Sequence, residues 1–197
     1  MSDIQNLSLL DRALLFAVEK HAGTWRKGTT TPYFTHVAEA MAIVSEITTE
    51  EEIRAAAVLH DTLEDTETTL EELQELFGPR VAALVASESE NKREGIAPGE
   101  TWEIRKGETI RHLERASTES LIIALGDKLS NARAMYRDYQ AVGEKLWDRF
   151  NQKDPAKHGW YYGSIGKIFQ GNPELSGTPA CAEYLKLVGE LFGTRED

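Results

Sequence analysis

The sequence predicts an all-α fold, and three observations carry the prediction. Apolar residues recur at helical spacing through most of the chain, start and stop signals bracket several of those runs, and no stretch shows the period of a strand. Leu7, Leu10, Leu14, Leu15 and Val18 form a first amphipathic series. Val37, Met41, Val44 and Ile47 form a second, and Ile53, Ala56, Ala57 and His60 a third. Two Thr-x-x-Glu boxes, Thr49 with Glu52 and Thr69 with Glu72, offer side-chain oxygens to the orphan amides of helix starts. Gly78-Pro79, following Leu73, Leu76 and Phe77, reads as a stop. Further helices are expected over Thr101 to Arg115, Thr118 to Tyr136, Tyr139 to Asn151, Lys157 to Phe169 and Pro179 to Phe192.

Gly, Pro, Thr and charged residues gather at Gly23 to Tyr33, Asn91 to Gly99 and Gly171 to Thr178, which are therefore expected as loops. None has the length of an interdomain linker, and no repeat or low-complexity tract is present. Residues 1–197 accordingly read as a single domain.

A chain of 197 residues can bury a core without covalent staples. Its one cysteine, Cys181, cannot form an intramolecular disulfide and is read as a small packing residue, which suits a reducing compartment. Met1-Ser2-Asp3-Ile4 opens without a basic stretch leading into an apolar run, and no segment approaches 18 consecutive apolar residues. A cytoplasmic location without a membrane partner is expected. The net charge of −11, from 33 acidic and 22 basic residues, opposes attraction to a nucleic acid polymer or an anionic membrane. It leaves room for a small phosphorylated ligand, because a bound metal or a pair of cations reverses the field within one cleft.

The chemistry concentrates in Ala55-Ala56-Ala57-Val58-Leu59-His60-Asp61-Thr62-Leu63-Glu64-Asp65, an apolar helix that runs into a polar, ionisable end. With helical geometry, His60 pairs with Glu64 and Asp61 with Asp65, in two adjacent rows. Carboxylates clustered at a buried helix end repel one another unless a cation sits among them. His36, after the Gly-rich loop, and Asp127, after the apolar run Leu121-Ile122-Ile123-Ala124-Leu125-Gly126, offer matching ligands. An aspartate in so apolar a helix is costly unless paired. His36, His60, Asp61 and Asp127 together supply two imidazoles and two carboxylates, a set that suits Mn²⁺ or Fe²⁺ with open water positions better than a closed thiolate zinc site. Mn²⁺, one per chain, is the expected cofactor.

The order His36, His60-Asp61, Asp127 resembles the HD superfamily of metal-dependent phosphohydrolases. Within it, His21-Ala22-Gly23, Arg26-Lys27-Gly28, Pro32-Tyr33-Phe34-Thr35-His36, His60-Asp61-Thr62-Leu63-Glu64-Asp65 and Gly126-Asp127-Lys128-Leu129-Ser130-Asn131 running into Arg133 resemble the hydrolase domain of RelA/SpoT proteins. The match spans at least residues 10–137, and the motifs as a whole fall within 10–170; Ser87 to Gly107 fits none of the family's patterns.

The resemblance implies an HD-type helical bundle that hydrolyses the 3′-pyrophosphate of (p)ppGpp-like alarmones, as small stand-alone hydrolases do, releasing pyrophosphate and GDP or GTP. It casts His36, His60, Asp61 and Asp127 as Mn²⁺ ligands, and Glu64 and Asp65 as the groups that position and deprotonate the attacking water. Arg26, Lys27, Asn131, Lys157 and Tyr161 become nucleotide contacts. Lys92, Arg93, Arg105 and Lys106 are expected to balance Glu88, Glu90, Glu94 and Glu103 rather than bind phosphate. Two alternatives stay open: an HD phosphohydrolase acting on an adenine alarmone or a deoxynucleoside 5′-monophosphate, and a non-catalytic nucleotide-sensing module.

Overall fold

Every residue of Ala55-Ala56-Ala57-Val58-Leu59 is buried, so this stretch of its helix has no solvent face and becomes the packing centre of its surroundings. In the computed structural model, which describes residues 6–90, 93, 95–97 and 99–193, this is α3 (Glu51–Leu59). Ten α-helices and a 3₁₀ segment at Gly143–Arg149 are present among the described residues, with no strand beyond an isolated bridge between Trp25 and Pro32. The all-α class therefore holds. The chain divides into two compact units, residues 1–89 with 122–127, and residues 90–121 with 128–197.

In the first unit, α1 (Leu9–Lys20), α2 (Phe34–Ile47) and α6 (Pro79–Glu88) all pack on α3, and α5 (Leu70–Phe77) packs on α6. Ala13 and Ala17 of α1, Ala40 of α2 and the three alanines of α3 are small enough to let the helices approach closely. A short α4 (Thr62–Asp65) follows α3 after His60 and Asp61, both of which keep right-handed helical backbone angles. The unit is completed by residues 122–127 of α8 (Thr118–Val142). A Cβ on Gly126 would stand 2.8 Å from the Ala40 carbonyl oxygen and 2.8 Å from Val44 Cγ2, so α8 meets α2 with backbone where any other residue would interpose a side chain.

The second unit contains α7 (Trp102–Leu113), residues 128–142 of α8, a 3₁₀ segment (Gly143–Arg149), α9 (Pro155–Gly171) and α10 (Pro179–Phe192). Phe169 stands edge-on to Tyr184, and the Tyr184 hydroxyl donates to the Tyr162 carbonyl at 2.8 Å, locking α9 to α10. Cys181 is a buried free thiol at the start of α10, in the packing role expected of it.

Several local expectations need correction. The Thr69–Glu72 cap is present, Thr69 Oγ1 accepting from Glu72 N at 3.2 Å, but Thr49 caps nothing: α3 starts after Glu50, whose own amide donates to Thr48 Oγ1 at 3.2 Å. Gly78-Pro79 is a stop and a start at once. Gly78 takes the positive φ of +89° that ends α5, and Pro79 opens α6, a helix missing from the sequence expectations. The helices expected over Thr118 to Tyr136 and Tyr139 to Asn151 are one helix to Val142 followed by the 3₁₀ segment, with Gly143 at φ +59° making the break. Met1-Ser2-Asp3-Ile4, Asn91, Lys92 and Glu94 lie outside the described residues.

Candidate metal centre

His36 enters the site from the first turn of α2, His60 and Asp61 from the end of α3, and Asp127 from α8. One nitrogen of His36, one of His60 and one carboxylate oxygen of Asp127 lie within 4.8 Å of one another, and all three residues are buried. His36 Nε2 is 3.2 Å from Asp127 Oδ1 and 3.5 Å from Asp61 Oδ2. His60 Nε2 is 3.1 Å from Asp61 Oδ2 and 3.7 Å from Asp127 Oδ1. Asp61, with 18% of its side chain exposed, forms the more open side of the cluster.

These four residues fit a divalent cation. Donors held about 2.1 Å from an ion stand about 3.0 to 3.4 Å apart, close to the spacings seen here. His60 Nδ1 lies 2.8 Å from the Ala57 carbonyl, which only accepts, so Nδ1 carries a proton and Nε2 is the nitrogen turned to the cluster. That Nε2 is buried and faces both carboxylates without the geometry of a regular hydrogen bond to either. Burial by itself lowers the His60 pKa, but Asp61 and Asp127 outweigh it and hold the ring's pKa well above its usual value. Asp61 is the counterpart: burial pushes its pKa up, and His60 and His36 pull it well below the ordinary carboxylate range. Without an ion the imidazolium proton supplies the positive charge that two carboxylates demand.

Glu64 and Asp65 sit on α4, half-buried and exposed respectively, and the Asp65 amide donates to the Asp61 carbonyl at 2.9 Å. Helical geometry therefore persists through the motif and keeps Asp61 and Asp65 on one face. Two residues that the sequence reading quoted in its motifs, but gave no role, stand beside them. The Tyr33 hydroxyl lies 2.6 Å from Asp61 Oδ2 and 3.1 Å from Asp65 Oδ2. Burial, then the charges of Asp61 and Asp65, raise its pKa far beyond the usual phenol range, so it remains a donor. His21 is buried, its ring 5.0 Å from that of Tyr33, with Nε2 lacking a hydrogen-bond partner and its pKa lowered by burial. The signal for both was their place in the motifs that precede His36.

Arg26 and Lys27 occupy a turn closed by the Trp25–Pro32 bridge. The Arg26 amide donates to Thr31 at 2.8 Å, and its carbonyl accepts from Thr29 Oγ1 at 2.9 Å. In the second unit, half-buried Asn131 lies one turn beyond Asp127 along α8. Lys157 is ion-paired with Glu103. Tyr161 is buried on α9, edge-on to Trp102, with the Lys106 ammonium 4.9 Å above its ring. Arg105 and Lys106 close on Glu90 at 2.9 and 2.7 Å, and Arg93 pairs with Glu108, which is the charge balancing expected of that segment with a partly different set of acids.

Residues 13–154 match the model of the HD domain family. The GTP pyrophosphokinase rsh of Brucella ovis is 34% identical over 133 residues, which are 66% of this chain and 17% of that protein. The guanosine-3′,5′-bis(diphosphate) 3′-pyrophosphohydrolase of Danio rerio is 38% identical over 126 residues, 62% of this chain and 66% of that one. The solved structure of a metazoan ortholog of SpoT that hydrolyzes ppGpp superimposes with a TM-score of 0.70 at 26% identity, covering 93% of this chain and 95% of that one. With two buried imidazoles and a buried carboxylate in the HD order and a family match over residues 13–154, the chain belongs to the HD domain family.

Proposed function

We propose that this protein is a Mn²⁺-dependent hydrolase of (p)ppGpp-like alarmones, cutting at the 3′-pyrophosphate. Water attacks phosphorus, the bond to the 3′ oxygen breaks, and pyrophosphate leaves with GDP or GTP. The observation that carries the reading is the buried His36, His60, Asp127 cluster with Asp61 at its open side and Asp65 one turn further on. The names of the relatives from Danio rerio and of the metazoan ortholog of SpoT point to the same substrate.

In this reading His36, His60, Asp61 and Asp127 hold the ion. A divalent cation bound there supplies Lewis acidity for attack on phosphorus. Glu64 and Asp65, at the water-accessible edge, orient the attacking water and take its proton. Arg26 and Lys27 bind the nucleotide through a guanidinium, suited to a purine face or a phosphate, and a point charge. The same assignment gives nucleotide contacts to Asn131, Lys157 and Tyr161. Among the described residues no helix is long and apolar enough to cross a membrane; the cytoplasmic location expected from the sequence is part of this proposal.

The test is a product analysis. With Mn²⁺ and guanosine 3′,5′-bis(diphosphate), pyrophosphate and GDP should appear in equal amounts. The adenine counterpart and deoxynucleoside 5′-monophosphates are assayed in parallel. Orthophosphate released from a monophosphate, with the alarmone untouched, overturns the substrate assignment; nucleotide binding without any product overturns the enzyme assignment.

A further inference from the structure

The Tyr33 side chain is held on both faces of its role. Its ring packs against His21 at 5.0 Å and stands edge-on to His36 at 5.7 Å, while its hydroxyl reaches two carboxylates. The oxygen it meets at 2.6 Å, Asp61 Oδ2, is the same oxygen that faces His60 Nε2 at 3.1 Å and His36 Nε2 at 3.5 Å. Its other carboxylate contact, at 3.1 Å, is Asp65 Oδ2. One phenolic proton thus stands between the metal-facing oxygen of one aspartate and the side chain of another, one helical turn away. Two carboxylates on one helix face repel unless a shared proton or a cation stands between them.

We propose that Tyr33 is a positioning residue, whose hydroxyl ties Asp65 to the metal-facing edge of Asp61 and so sets the place from which Asp65 takes the proton of the attacking water. The inference rests on the hydrolase reading above. It singles out Asp65 from the Glu64-Asp65 pair as the carboxylate whose placement is linked to the metal ligands. Tyr33 touches neither the ion nor the substrate in this scheme; it acts through Asp65.

Tyr33→Phe removes the hydroxyl and keeps the ring packed on His21 and His36, which guards the fold. Metal-free Tyr33→Phe titrated with Mn²⁺ should still take up one ion per chain. On whichever nucleotide the unsubstituted protein turns over, KM should stay within about twofold while kcat falls roughly ten- to hundredfold, the scale for a misplaced reacting group. In an Asp65→Asn background the same substitution should change kcat by less than about twofold, because the group it positions is already gone. A kcat within twofold of the parent overturns the inference. So does a full multiplicative loss in the Asp65→Asn background, or loss of the metal from Tyr33→Phe, which would make the hydroxyl a support for the ligand alone. If the unsubstituted protein turns over no nucleotide, the hydrolase reading and this inference fall together; turnover with a multiplicative cycle sinks the inference alone.

Discussion

The Nδ1–H of His60 donates to the Ala57 carbonyl at 2.8 Å, one turn back on the helix that bears them both. The backbone of α3 thereby chooses the tautomer of a candidate metal ligand, and no other side chain is needed to do so. His60→Ala and Asp127→Ala should each lose the ion: metal analysis after dialysis should show far less than one Mn²⁺ per chain, against one in the parent. Stoichiometric Mn²⁺ in both variants would dismiss the ligand set. Because Asp61 and Asp127 favour the protonated His60 ring, uptake of an ion displaces a proton, and apparent Mn²⁺ affinity should weaken as pH is lowered.

Removing the proton acceptors should separate turnover from metal binding. Glu64→Gln and Asp65→Asn are expected to keep the ion, and the variant that lacks the general base should turn over about a hundredfold more slowly. Near-normal turnover in both would reduce these acids to solvated helix-end residues.

Arg26 is expected to act on binding. Its turn is closed by backbone bonds to Thr29 and Thr31, so Arg26→Ala should leave the loop intact. KM should rise roughly tenfold, the scale of one charge-assisted hydrogen bond, with kcat little changed. A fall in kcat at constant KM would place the guanidinium at the reacting phosphate.

Glu90 sets a test of stability against pH. Burial pushes its pKa up, but Lys106, Thr109 and Lys128 bring it down from 4.5 to about 2. A carboxylate with a depressed folded-state value stabilises the fold above about 4.5, and that contribution is lost as pH falls towards about 2. Burial of Lys106 lowers its own pKa and offsets part of the gain. Glu90→Gln should therefore cost roughly 1 to 3 kcal/mol at pH 7, with the gap from the parent closing as pH falls from 4.5 towards 2, read by denaturant melts. A gap independent of pH would assign the loss to packing.

Much of this was readable from residue spacing. The apolar lead-in to His60 told of a buried helix end, and Asp127 announced itself as a charge in an apolar run. The failures share a physical cause. Pro79 follows a stop, and a stop residue that also opens the next helix cannot be told from a plain break by local pattern. The run from Thr118 to Val142 stays helical through Gly126 and through Asp138-Tyr139, where two helices were expected to meet, and the break falls at Gly143, where a positive φ is needed. Thr49 caps nothing because the helix starts one residue later, after Glu50, and no side chain caps it. Tyr33 had only its place in the motif before His36 to mark it, because nothing in a sequence tells which way a phenol points, and its partners lie 28 and 32 residues away.

Gly126 lies next to a candidate ligand, and it faces the helix that carries another. On the proposed ligand set, the gap between α2 and α8 is the bite of the metal site, and the absence of a side chain at Gly126 is what narrows it. A methyl group at this position would have to displace the Ala40 backbone, carrying His36, one turn away on α2, from Asp127. The spacing of two candidate ligands would be altered there by a residue that offers no ligand atom of its own.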